Sequence, residues 1–210
     1  MKLTKYGHAC VRLEKDGKVL VVDPGTFTAD PVLDGADAVL VTHEHADHLD
    51  IDRLAAAASP GLEVWTCESV AAELSDVPVR VQVVEHEDEF QAAGFSIKVF
   101  GEWHAKNHPD MRVVSNVGFL VDDEVFYPGD ALTVPGVEVP TLLVPTNAPW
   151  MKLSEMVDYL RTVRPARAFS THDGLLNDFG LGLVDNYLRL ESDVQKADMR
   201  RLKVGESVTL

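Results

Sequence analysis

Cysteine is nearly absent from this chain: its 210 residues include two, Cys10 and Cys67. That excludes a disulfide framework, and both thiols are expected as small buried hydrophobes. Long apolar runs are missing too, and none reaches the roughly 20 residues of a transmembrane helix. The opening MKLTKYGHACVRLEKDGK lacks the apolar stretch of a secretory signal, so the expected location is the cytoplasm, with no membrane partner. Positive charge is scarce. Nineteen Lys and Arg face 34 Asp and Glu, a net charge of −15. A nucleic-acid binder needs a basic footprint, and this chain repels polyanions at long range; no nucleic-acid partner is expected. Hydrophobic residues at 46% and charged residues at 25% are ordinary globular values, which exclude disorder.

What is present is a series of short β-type runs. Residues 1–6, 10–14 and 18–22, with a turn at Asp16-Gly17, read as a meander that opens a sheet. The run 38–41 is continuously apolar, as in a strand buried on both faces. Further strands are predicted at 62–66, 80–84, 95–100, 116–121, 124–127, 142–144 and 167–170, with a hairpin turn at Asp122-Asp123. The segment 207–210 could add an edge strand. Helices are predicted at 51–58, ending at Ser59-Pro60-Gly61, at 68–74, at 154–163 with Ser154 as N-cap, and at 181–190. Strands first, then strand and helix alternating, twice over, give two sheets covered by helices in one domain over residues 1–210.

The densest chemistry is Thr42-His43-Glu44-His45-Ala46-Asp47-His48. It starts where the buried run 38–41 stops, and a strand end followed by a loop is where open α/β sheets place ligands. Alternate residues share a face, so His43 and His45 can point the same way. Three imidazoles and a carboxylate so close together are costly to bury unpaired. A divalent cation resolves this, since imidazole nitrogen and carboxylate oxygen both ligate zinc. Neither a Gly-x-Ser-x-Gly elbow nor a catalytic-looking cysteine is present.

The His-x-His-x-Asp-His pattern resembles the signature of the metallo-β-lactamase superfamily. The rest of the chain agrees in order: Trp103-His104, Gly129-Asp130 and Thr171-His172-Asp173 each follow a predicted strand. Gly7-His8-Ala9 and Val22-Asp23-Pro24 resemble the branch that contains ascorbate-6-phosphate lactonase-like proteins. The resemblance covers nearly the whole chain and implies an α/β fold, a four-layer αββα sandwich of the metallo-β-lactamase type. It implies two divalent metal ions, zinc foremost, with manganese or iron as alternatives. His43, His45 and His104 would hold one; Asp47, His48 and His172 would hold the other; Asp130 would bridge them. Asp47 and Asp130 are the candidate catalytic residues. His8, Asp23, His108 and Asp173 are candidates for lining the pocket or orienting a ligand, with His108 competing with His104 as ligand. Trp103 and Trp150 read as apolar walls or core, and His86 as a solvated turn.

The implied activity is hydrolysis, in which a metal-bound hydroxide attacks an ester, lactone or phosphodiester of a small soluble substrate. The alternative is a metal-holding sensor or binding protein without turnover, whose mark would be a lost ligand; every ligand position is filled. Redox chemistry on two irons, as in flavodiiron proteins, is a further alternative, but those proteins carry an attached flavin domain and an acidic residue in the first metal site, and neither is expected here. The sequence leaves open whether the protein forms a homo-oligomer.

Overall fold

The computed structural model describes residues 1–59 and 61–210; Pro60, within the expected stop of the first helix, lies outside the described residues. Among the described residues, two seven-stranded mixed sheets form an α/β fold with flanking helices. The first sheet runs β14 (Ser207–Thr209), β1 (Lys2–Lys5), β2 (Val11–Lys15), β3 (Lys18–Val22), β4 (Ala38–Val41), β5 (Glu63–Thr66), β6 (Arg80–Val83). The second runs β13 (Asp198–Arg200), β12 (Arg167–Thr171), β11 (Thr141–Pro145), β10 (Val125–Tyr127), β9 (Gly118–Val121), β8 (Phe95–Phe100), β7 (Glu89–Ala92). Each sheet begins as an antiparallel meander and continues as parallel strands.

Strand periodicity sorts the core into layers. Phe119, Val121, Leu143 and Phe169 share one apolar cluster with Leu13, Leu20 and Val39 of the first sheet. The intervening residues Leu120, Leu142, Val144 and Ala168 point the other way. They pack against Met156, Tyr159 and Leu160 of α3 (Leu153–Val163) and Val184 and Leu188 of α4 (Asp178–Gln195). Two covered faces explain why β4, β9 and β11 are buried at every residue. The first sheet carries α1 (Ile51–Ala57), whose N-cap Asp50 accepts from the Arg53 N–H at 3.0 Å, and α2 (Glu68–Glu73).

Three expectations need correction. Ser154 is not the N-cap of α3: Lys152 is, because Glu155 reaches back to accept from the Lys152 N–H. The last helix is longer than 181–190, since the cap starts it early: Asn177 accepts from the Gly180 N–H at 3.1 Å. Strands β7 and β13 were not anticipated.

The topology also fixes an edge. Strands β1, β3 and β4 run the same way in the first sheet, and β8, β10 and β12 run the same way in the second. His8, Asp23, His43, His104, Asp130 and His172 each follow one of these six strands at its carboxyl end.

Candidate metal centre

The six strand ends bring their side chains together. His43 Nε2 and His45 Nδ1 are 3.1 Å apart, and with His104 and Asp130 they form one group of converging donor atoms. His48 Nε2 lies 3.1 Å from Asp130 Oδ1, and His172 Nε2 lies 3.1 Å from Asp130 Oδ2 and 3.3 Å from Asp47 Oδ2. Asp130 therefore belongs to both the His43 group and the His48–His172 group. Such spacings suit shared coordination: arms of about 2.0–2.1 Å set tetrahedrally put donor atoms about 3.3 Å apart. Among the described residues, His48 Nε2, His104 Nε2, His172 Nε2 and Asp130 Oδ1 are buried without a hydrogen-bond partner. Several converging polar atoms left in this state are costly, and a cation is what this donor set fits.

The other ring nitrogen of His43, His48, His104 and His172 is anchored, which fixes the nitrogen that faces inward. His48 Nδ1–H donates to Asp23 Oδ2 at 2.6 Å. His172 Nδ1–H donates to the Asn147 carbonyl at 2.6 Å, and His104 Nδ1–H donates to the Ala105 carbonyl. The Thr42 hydroxyl donates to Asp23 Oδ2 at 2.7 Å, so its oxygen accepts from His43 Nδ1–H at 2.9 Å. Asp23 thus orients His48 directly and His43 through Thr42. Asp23 and His172 both adopt a left-handed backbone, with φ of 47° and 59°, a conformation retained where surrounding contacts enforce it.

Asp130 is held from two sides. Its N–H donates to Asn116 Oδ1 at 2.9 Å, and the Asn116 amide donates to the Pro128 carbonyl at 2.9 Å. Gly129, at φ +65°, lets this turn pass: a Cβ there would come within 2.4 Å of Asn116 Oδ1. The Trp150 indole N–H donates to Asp130 Oδ2 at 3.0 Å. Trp150 is therefore a polar partner of the site as well as a wall. Trp103 is neither core nor buried wall, being 59% exposed.

The remaining candidates separate. His8 is buried beside Asp47, 3.3 Å away. Asp173 orients no ligand; its carboxylate accepts from Lys5 Nζ at 2.6 Å in a buried ion pair that ties the loop after β12 to β1. His108 does not join the cluster. Residues 104–108 form no helix, so the four-residue spacing never aligns the two rings; His108 is exposed and accepts from the Asp110 N–H. His86 is exposed in a turn, and Cys10 and Cys67 are free and buried. Thr42, Asn116, Asn147 and Trp150 were not singled out as site residues, and their roles depend on partners distant in sequence.

The charges in the cluster are coupled. Burial disfavours a proton on His48, but the Asp130 and Asp23 carboxylates outweigh it and raise its pKa well above 6.5. For His172 burial is likewise overcome, by the Asp130 and Asp47 carboxylates that its Nε2 faces, and its pKa is raised to about 9. Fully buried His43 is pushed the other way, well below 6.5. A raised folded-state pKa stabilises the metal-free fold fully below the unfolded value of 6.5, and that contribution is lost as pH rises through about 9. Metal needs the neutral ring. We therefore expect metal uptake at pH 7 to release the protons of both His48 and His172. Titration calorimetry in two buffers of different ionisation enthalpy checks this; release of no proton would contradict it.

Imidazoles and carboxylates gathered at the strand ends of two facing sheets define a class: a metal centre on an α/β sandwich. The chain matches a family model described as beta-lactamase superfamily domain over residues 2–172, and it belongs to that superfamily, in its metallo-β-lactamase form. Protein Rv0786c of Mycobacterium tuberculosis is 38% identical over 217 residues, covering 100% of both chains. A UPF0173 metal-dependent hydrolase of Aeropyrum pernix is 34% identical over 99 residues, covering 44% of this chain and 40% of that one. The structure of Igni18, a metallo hydrolase from Ignicoccus hospitalis, superposes with a TM-score of 0.75 at 18% identity, covering 100% of this chain and 97% of that one.

Proposed function

We propose that the protein is a dinuclear metal-dependent hydrolase acting on an ester, lactone or phosphodiester of a small soluble substrate in the cytoplasm. That it is a metal-dependent hydrolase of the metallo-β-lactamase superfamily follows from the family. The observation that supports two metals is Asp130: one buried carboxylate whose two oxygens face different imidazoles, Oδ1 toward His48 and Oδ2 toward His104 and His172. A divalent metal bound there supplies Lewis acidity toward a carbonyl or phosphoryl oxygen and a nucleophilic water at neutral pH. Zinc suits the histidine-rich set, with manganese or iron as alternatives.

The chain's own residues supply the rest. Trp150 and Asn116 hold Asp130 in place. Asp47, 23% exposed at its side chain, is the most open carboxylate of the cluster and is the group that takes up and returns a proton. Its pKa is lowered: burial opposes ionisation, but the His172 and His8 imidazoles, each 3.3 Å from its Oδ2, outweigh it. Of two hollows on the surface, the first borders the site at His8. One of about 470 Å³ reaches His8 and Phe27, and one of about 390 Å³ reaches Trp103 and Val117; both are of small-molecule size.

The test is to load purified protein with zinc, manganese or iron, count the metal, and screen small esters, lactones and phosphodiesters. Two metals with turnover on one class support the reading. Two metals without turnover on any class favour the sensor alternative, and no bound metal overturns both.

A further inference from the structure

His8 follows β1, and its ring is buried at the edge of the second ligand set, with Nε2 3.3 Å from Asp47 Oδ2. By distance alone it is a third donor beside Asp47 and His172. The hydrogen bonds argue otherwise. The Gly174 N–H donates to His8 Nδ1 at 2.9 Å, so Nδ1 presents a lone pair. A doubly protonated ring would set one N–H against another. The ring is therefore neutral, and its single proton sits on Nε2. A protonated nitrogen has no lone pair to give a cation. Among the described residues this Nε2 has no hydrogen-bond partner, and the carboxylate oxygen it faces is Asp47 Oδ2.

The surroundings hold that arrangement. A Cβ on Gly174 would lie 3.0 Å from both Cβ and Nδ1 of His8, so glycine is what lets this N–H approach the ring. The His172 N–H donates to the His8 carbonyl at 2.7 Å. Lys5 Nζ donates to the Ser170 carbonyl and to Asp173, fastening the loop that carries Gly174 to β1.

We propose that His8 is a positioning residue: a neutral imidazole, protonated on Nε2, that donates to Asp47 Oδ2 and aims this carboxylate at the second metal without binding metal itself. The role rests on the dinuclear reading. Nitrogen-15 spectra of the imidazoles read the proton position in zinc-loaded protein, and the signals missing from His8→Gln identify the ring. Chelator competition on parent, His8→Leu and His8→Gln reads each metal's affinity. We expect a protonated Nε2 free of metal. His8→Leu should keep the first zinc and hold the second about 10- to 100-fold more weakly, the usual effect of losing a hydrogen bond to a ligand. His8→Gln, whose amide can donate from the same place, should recover most of that loss.

Metal on His8 Nε2, a proton on Nδ1, or a His8→Leu protein that binds both metals as tightly as the parent would each overturn the proposal. Should His8→Leu fail to fold, the parent spectra and the His8→Gln affinities decide. A parent that takes up one metal overturns the dinuclear reading and the second-metal role with it. The proton position in the same sample separates that failure from a wrong tautomer.

Discussion

Asp130→Ala is expected to lose one of two metals and to lower turnover by at least about 100-fold, the scale of removing a key electrostatic contact. Among the described residues, Asp130 is the one shared between the His43–His45–His104 group and the His48–His172 group. Alanine leaves His48 Nε2 and His172 Nε2 without the carboxylate they face. Asp47→Asn is the graded companion: it keeps the shape and removes the charge and the proton acceptor. The second metal should weaken and the rate fall, while the first metal stays. His86→Ala, in an exposed turn, should change neither. Metal counts and rates on the substrate found by screening check all three. Parent-like rates in both aspartate variants would contradict a dinuclear mechanism.

Removing the metals should cost stability on a comparable scale. Metal at about 1,000-fold above its dissociation constant stabilises the fold by roughly 4 kcal/mol. At about 2–4 °C per kcal/mol for a chain of this size, chelation should lower the Tm by about 8–16 °C. The donors come from segments after β4, β8, β10 and β12, so the metals tie both sheets together at one edge. Melting curves with and without chelator, with metal loss verified, measure the effect. Coincident curves would contradict a centre integrated with the fold.

Much of this was legible because the chemistry is local. His43, His45, Asp47 and His48 fall within six residues, and the continuous apolar run before them marks a strand covered on both faces. The superfamily resemblance added His104, Asp130 and His172, which lie one apiece after distant strands. The elements missed had weak local signals. Strand β13 has three residues with Met199 alone buried, and β7 follows directly on the charged turn around His86, its polar residues alternating with Phe90 and Ala92. Helix α4 begins amid Gly180 and Gly182, which lower helix propensity. The supports were hidden for a different reason. Asn116 bonding to the Asp130 N–H, and Trp150 to its carboxylate, are tertiary contacts that no spacing encodes. His108 is the converse: a helical spacing in the sequence that the backbone never makes helical.

Two metals that share Asp130 must lie close together. Anomalous diffraction from crystals of metal-loaded protein tests it most directly. We expect two peaks about 3.5–4 Å apart, one against His43, His45 and His104, the other against Asp47, His48 and His172, with the Asp130 carboxylate touching both. A single peak at full loading, or two peaks with Asp130 touching only one, would contradict it.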